Sequence, residues 1–468
     1  MKSFVAVLAA GLIGTAAVAP GRAPAPRCLM EVLNVDRKST QNDLFNNGSN
    51  VQYDAAGHVR LRCQKQQVFL NSDSISALSG DYVRLYGHVV YRDSAYQFVA
   101  DTMIYIIHAE KLEARANVTV VDKAAGSTLT GPWVDYWRAV KGVNDSARVE
   151  ALLRPTVRYF NSGSVRDTAN RTPYILVGDK LKGFGQSRLS GSGTVTIDRD
   201  SLHGEGDSLA FDRGKTSVAQ LIGVPAKLRR RGADSFAVFG KEIRLRSEND
   251  TIRDLRAFLT ARVTRGMTDI TGDTLHLSFV SEKLALTLAW NHKDGATLHS
   301  AGYDVVGDSL AVESPGELLH EIRVFRRGMI QNPRDTVGAG VPRVAGDTTA
   351  RDSTRNTLWG DRIIARFDQV DSAGTLATRL RGLQAFGKQP NQARSLFART
   401  EVARDGRRSP SINYTFADTI LVRMNSGDST GVASVQAYGH VSGLQLETAS
   451  LLKPKADSAK VALPKDRP

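Results

Sequence analysis

His320-Glu321 opens as the zinc-protease motif H-E-x-x-H does, a pair that would place one imidazole on a metal ion and a carboxylate beside its water. Val324 stands where the second histidine is required, so the ion has no second ligand one helical turn away. His292 and His299 have no companion ligands and read as surface or turn residues. Gly183-Phe184-Gly185 and Gly191-Ser192-Gly193 supply two glycines each, without the third that a dinucleotide loop needs and without a helix to follow. No G-x-S-x-G nucleophile elbow occurs. Asp residues recur beside Gly or Ala and Thr or Ser, a setting in which the carboxylate satisfies backbone amides of a turn rather than one half of an acid–base pair. Trp133, Trp137, Trp290 and Trp359 read as core or edge packing, with a membrane interface or a ligand mouth as the alternative. The expectation is a protein that is not an enzyme and uses no metal and no cofactor.

What remains is burial. The Asp motif recurs as Ala100-Asp101-Thr102, Gly206-Asp207-Ser208, Gly272-Asp273-Thr274, Gly307-Asp308-Ser309, Gly360-Asp361-Arg362 and Ala417-Asp418-Thr419. With the degenerate Gly240-Lys241-Glu242, the steps from 207 to 241, 273 and 308 are 34, 32 and 35 residues. A second echo runs through Gly57-His58-Val59, Gly87-His88-Val89, Ala116-Asn117-Val118 and Gly439-His440-Val441. Such self-similarity marks a repeat architecture. After each Asp, alternate positions are apolar: Met103, Tyr105, Ile107; Leu209, Phe211; Leu275, Leu277, Phe279; Leu310, Val312; Ile363, Phe367; Ile420, Val422, Met424. A period of two is that of a strand with one buried face, and the motif reads as a turn that locks its phase. Each unit is then a pair of strands of about thirty residues, which has no core alone and must stack on its neighbours.

The bulk numbers agree. With 468 residues, 41% hydrophobic but only 7% aromatic, and 41 glycines, the chain suits many short strands better than a helical bundle. The net charge of +14 suggests an anionic partner, yet residues 326–357, 388–408 and 450–468 carry +10 of it and the first 27 residues another +3. Basicity confined to loops and tails argues against a nucleic-acid groove. MKSFVAVLAAGLIGTAAVA reads as a secretory signal or an N-terminal anchor over residues 1–25. Cys28 and Cys63 either pair or remain two incidental thiols.

With these elements in order, the chain resembles the organic-solvent-tolerance (OstA-like) domains, the lipopolysaccharide-transport family of LptA, LptC and the N-terminal part of LptD. The likeness is clearest over residues 80–136, where Gly87-His88-Val89 and Ala116-Asn117-Val118 stand where the family commonly has Gly-Asn-Val, and in VQAYGHVSGLQLE near the end. It implies an all-β, elongated stack of antiparallel strand repeats (a β-taco or β-jellyroll) over 26–325 and 358–452. Residues 326–357 lack apolar periodicity and carry turn and charged residues, so they read as a disordered insertion, and 453–468 read as a disordered tail. A further long excursion between strands is expected over 388–410. The resemblance also implies a periplasmic protein of a Gram-negative-type bacterium, exported by its signal peptide, free or associated with a membrane. Its ligand would be lipopolysaccharide or another envelope lipid, its acyl chains shielded by the fifteen in-phase residues above. Other Lpt-type subunits would join it by end-to-end strand pairing. The alternative is an envelope scaffold or adhesin with a packed interior and no lipid.

Overall fold

The computed structural model describes residues 28–42, 51–64, 66–78, 81–160, 172–185, 187–212, 216–232, 235–248, 251–291, 293–300, 303–315, 318–332, 356–372, 375–402, 408–424 and 432–446. Within them lie thirty β-strands and no α-helix, and sequential strands pair antiparallel. The all-β antiparallel repeat architecture expected from the alternation is the one observed. Residues 1–25 and 453–468 lie outside the described residues.

The chain divides into two compact units, and the division falls inside the block read as one repeat region over 26–325. Unit 1 is Met1–Ala124, Thr128–Pro155 and Lys182–Gln186; unit 2 is Ala125–Ser127, Thr156–Leu181 and Ser187–Pro468. In unit 1, Val51–Gln64, Val68–Leu78, Tyr82–Arg92, Tyr96–Ile106, Lys111–Asp122 and Thr128–Trp137 follow one another as a meander. Cys28 is disulfide-bonded to Cys63, fastening the first strand, Leu29–Asn34, to the end of Val51–Gln64.

Most of the long strands are broken near the middle, and the break qualifies one sequence expectation. In four copies the small–Asp motif is not a turn between strands: Ala100-Asp101 lies inside Tyr96–Ile106, Gly206-Asp207 inside Leu202–Asp212, Gly272-Asp273 inside Thr268–Val280 and Gly360-Asp361 inside Asn356–Ser372, whereas Asp308 and Asp418 stand between consecutive strands as the turn reading expects. The hydrogen-bond register shifts there and resumes beyond, as at a β-bulge. Burial shows the consequence. In Thr268–Val280 the buried positions are Ile270 and Gly272, then Leu275, Leu277 and Phe279, so the alternation changes parity across Asp273 and both halves keep their apolar side inward. The halves also take different partners: Asp269–Thr271 pair with Thr297–His299, and Thr274–Val280 pair with Lys283–Trp290. The motif therefore marks a joint at which one strand contributes to two leaves.

The Gly-His-Val echo is the other side of the same joint. Gly57-His58, Gly87-His88, Ala116-Asn117 and Gly439-His440 each hold two successive residues at positive φ. Their second residues bond the Asp of a preceding strand or turn. His58 and His88 Nδ1 lie 3.0 and 2.8 Å from Asp36 and Asp73 Oδ2, and Asn117 Nδ2 donates to Asp101 at 2.7 Å. In unit 2, His440 meets Asp418 at 2.9 Å and Arg327 donates to Asp308 at 2.6 Å. Two consecutive left-handed residues are costly for L-amino acids, and the Asp bond helps to offset that cost.

Unit 2 continues the meander through Arg188–Arg199, Leu202–Asp212, Thr216–Arg230, Phe236–Glu248, Thr251–Arg265 and Thr268–Val280. The leaves then separate. Ala296–Ser300 and Tyr303–Gly307 extend one, Lys283–Trp290 and Ser309–Glu313 the other, and Glu321–Asn332 reunites them by pairing with both. Two boundaries differ from expectation. Strands run to Asn332 and resume at Asn356, because Gly328–Asn332 pair with Asn356–Gly360; only 333–355 of the expected insertion lie outside the described residues. The expected excursion over 388–410 holds a paired strand, Ala393–Val402, whose alternation is hidden by its charges.

Candidate functional site

In unit 1 the space between the leaves is filled. Tyr105, with no exposed surface, packs on Tyr91 with centroids 6.1 Å apart, and Phe98 stacks on Tyr136 at 5.1 Å. Tyr91 and Tyr136 donate to Asp93 Oδ2 at 2.9 and 2.7 Å, while Asp93 Oδ1 accepts the Ala95 and Tyr96 amides at 2.8 and 2.7 Å. Tyr105 donates to Glu110, which also accepts from Arg138 at 2.7 Å, and Arg138 reaches Gln66. Asp93 and Gln66 sit in hairpin turns at the tip of one leaf, and Tyr136 and Arg138 end the other, so these bonds clasp the two tips together. Asp93 and Glu110 are 5% and 2% exposed, and burial beside such carboxylates pushes the Tyr91, Tyr105 and Tyr136 hydroxyls far up, keeping them neutral donors. Met103, Tyr105 and Ile107, expected in a lipid lining, are buried within this closed unit.

In unit 2 the in-phase residues are also buried, except Met424, which is half-buried. Leu209 borders a void of about 30 Å3, and Val422 and Met424 one of about 20 Å3, each little larger than a water site. Leu275, Leu277, Phe279, Leu310, Ile363, Phe367, Ile420 and Phe211 line neither these voids nor the larger cavity. Val312 differs. It lines a partly open cavity of about 420 Å3, at the stretch where the leaves are wound separately.

One wall of that cavity comes from the leaf carrying Val263, Ile270 and Leu298, which are buried and share a face. Leu284, Thr287 and Val312 supply the other wall, with Leu318 and Leu319 from the connection that precedes Glu321–Asn332. Toward the leaf edge the lining turns polar: Arg265, Thr268 and Ser300 continue the row of Val263, Ile270 and Leu298, and Thr268 hydrogen-bonds Ser300 at 3.2 Å. The site thus combines an apolar floor with a hydroxyl-rich rim bearing one guanidinium. It can hold an alkyl chain and contact a polar head.

Sequence reasoning found Val312 but missed Leu298, Thr287 and Arg265. A signal for Arg265 existed, since it is in phase with Ala261 and Val263 and so belongs to the inward face. Of the histidines, His299 pairs with Asp304 at 2.9 Å across a hairpin, and His292 lies outside the described residues. Glu321 accepts from Arg323 and Arg366 at 2.5 and 3.1 Å; those bonds overcome the effect of burial and hold its carboxyl below the usual range. Trp133 lies under Arg115 at 3.7 Å and Trp137 under Arg148 at 3.8 Å on an outer face, and none of the four tryptophans lines the cavity. Among the described residues, no cluster of three His, Cys, Asp or Glu is placed to hold a metal, and no helix is long and apolar enough to cross a membrane.

No protein-family model matches the chain, and no curated protein matches it. Among solved structures, it is similar to LptH, the LptA-homologous periplasmic component of the lipopolysaccharide transport device of Pseudomonas aeruginosa. That similarity has 14% identity and a TM-score of 0.22, over 26% of this chain and 85% of the other.

Proposed function

We propose that this chain binds lipopolysaccharide or a related envelope lipid and shields acyl-chain surface between the leaves of unit 2 during outer-membrane assembly. The observation that carries the reading is the 420 Å3 cavity, apolar at its floor, polar at its rim and open to solvent. Its volume falls within the range of ligand sites, roughly 300–1,000 Å3, and each methylene it buries contributes about 0.8 kcal/mol. The proposed role is binding without catalysis, acting in the periplasm, with other subunits joined at end strands. One observation favours the scaffold alternative: the interior of unit 1 is closed by its own side chains, as a structural repeat would be. The two readings separate on lipid content. Organic extraction of the full chain purified from cell envelopes, followed by mass spectrometry, is expected to yield lipid in stoichiometric proportion, reduced in Leu298→Glu. A chain free of lipid, equal to an unrelated envelope protein purified alongside, would leave the scaffold reading standing.

A further inference from the structure

The dimensions and rim of the unit 2 cavity restrict what it can take. At about 30 Å3 for a water-sized or methylene-sized group, 420 Å3 holds roughly fourteen such groups. That is one alkyl chain of ordinary length; a lipid with several chains would have to leave the others outside. Two further voids along the unit 2 strands, about 30 and 20 Å3, are each too small for a second chain. Val263, Ile270, Leu298, Leu284, Thr287 and Val312 are strand residues held in register by ladder hydrogen bonds, and the connection at Leu318 and Leu319 completes the second wall.

The rim adds chemistry. Arg265 lines the cavity and ends the row that begins with the buried Ala261 and Val263, at the leaf edge where the lining turns polar. Thr268 and Ser300, hydrogen-bonded to each other at 3.2 Å, continue the same rung beside it. A guanidinium next to two hydroxyls matches a carboxylate or phosphate, which accepts hydrogen bonds and offers none.

From this juxtaposition we infer that the cavity is a site for a single-chain anionic amphiphile: one acyl chain laid between Leu298 and Val312, and its carboxylate or phosphate head on the Arg265–Thr268–Ser300 rung. The inference rests on the lipid-binding reading and narrows it to one chain with a negative head. A fatty acid and a lysophospholipid share that chemistry.

The test uses the full chain and cis-parinaric acid, whose fluorescence rises on entering an apolar site, with palmitate, palmitoyl-lysophosphatidate and monopalmitoylglycerol as competitors. One saturable site is expected. Palmitate and lysophosphatidate should displace the probe better than the neutral monopalmitoylglycerol, and the stronger of the two identifies the head. Val312→Trp fills the cavity and should weaken probe binding at least tenfold with an unchanged melting profile. Thr378→Trp, at an exposed edge of the same cavity, serves if Val312→Trp does not fold. Arg265→Gln should weaken both anionic competitors about tenfold and leave monopalmitoylglycerol unchanged, which a loss of folding would not do; tenfold is the low end for a charge-assisted hydrogen bond. Unaltered binding in both folded tryptophan variants, or equal losses for charged and neutral ligands in Arg265→Gln, would overturn the inference. If purified lipopolysaccharide binds the parent chain and palmitate does not compete, the single-chain site is wrong while lipid binding survives. If neither binds, both fail.

Discussion

Asp93 should be the most costly single residue to remove from unit 1. Its carboxylate accepts four hydrogen bonds, from the hydroxyls of Tyr91 and Tyr136 and from the amides of Ala95 and Tyr96, and it is 5% exposed. Asp93→Ala leaves the two hydroxyls without an acceptor in an aromatic environment that excludes water. Each stranded group costs about 1–3 kcal/mol, so a loss of about 3–5 kcal/mol is expected once the turn amides are included. Asp93→Asn keeps one oxygen for the amides and should cost about half as much. Tyr136→Phe removes one donor with its ring packing intact, at about 1 kcal/mol, and a double-mutant cycle with Asp93→Ala should show a coupling of about 1–2 kcal/mol. Equilibrium urea unfolding is followed by tryptophan fluorescence in a Trp290→Phe, Trp359→Phe background, which leaves Trp133 and Trp137, both in unit 1, as the reporters. An Asp93→Ala chain within 1 kcal/mol of the parent, or a cycle without coupling, would refute the view that this clasp holds the leaf tips together.

Three further expectations follow from the same structure. Burial raises the Tyr91, Tyr105 and Tyr136 hydroxyls above their unfolded value, so the stability they confer is intact below about pH 10 and is lost as pH climbs toward their folded values; an ultraviolet titration should show these three ionising only as the chain unfolds, and free titration near pH 10 by all 12 tyrosines would contradict this. Thiol titration of the unreduced chain should find no free cysteine and, after reduction, two, with unit 1 destabilised by about 2–4 kcal/mol; two thiols before reduction would rule out the Cys28–Cys63 bond. Gly87→Ala, at φ 71° with a Cβ that would stand 2.2 Å from an Asp73 carboxylate oxygen, should cost at least about 1–2 kcal/mol in thermal unfolding, and a neutral effect would mean the joint does not need that conformation.

The strands were legible because alternation is a local signal. Leu275, Leu277 and Phe279 announce an inward face whatever surrounds them, and all three are buried. Their joint was only half legible. Gly-His-Val and small-Asp read as two separate echoes because Asp73 and His88, or Asp101 and Asn117, meet through strand pairing at distances in sequence that no local pattern links. The clasp was missed for a related reason: Asp93 and Glu110 occupy turns, where acidic residues are ordinary, and only the fold brings Tyr136 and Arg138 to them. Periodicity also cannot separate a side chain that touches its neighbours from one that borders a space. Tyr105 and Val312 have the same phase after their Asp, yet the first is sealed in an aromatic core and the second lines the cavity.

Photocrosslinking in living cells tests lipid binding most directly. A benzophenone amino acid placed singly at Val312, Leu298 or Thr378 is expected to give lipid adducts on irradiation, and one placed at Tyr105 or Met103 to give none. Adducts at no cavity position, while a known lipid carrier crosslinks in the same cells, or adducts of equal yield in the closed unit and at the cavity, would contradict the assignment of acyl-chain binding to the space between the unit 2 leaves.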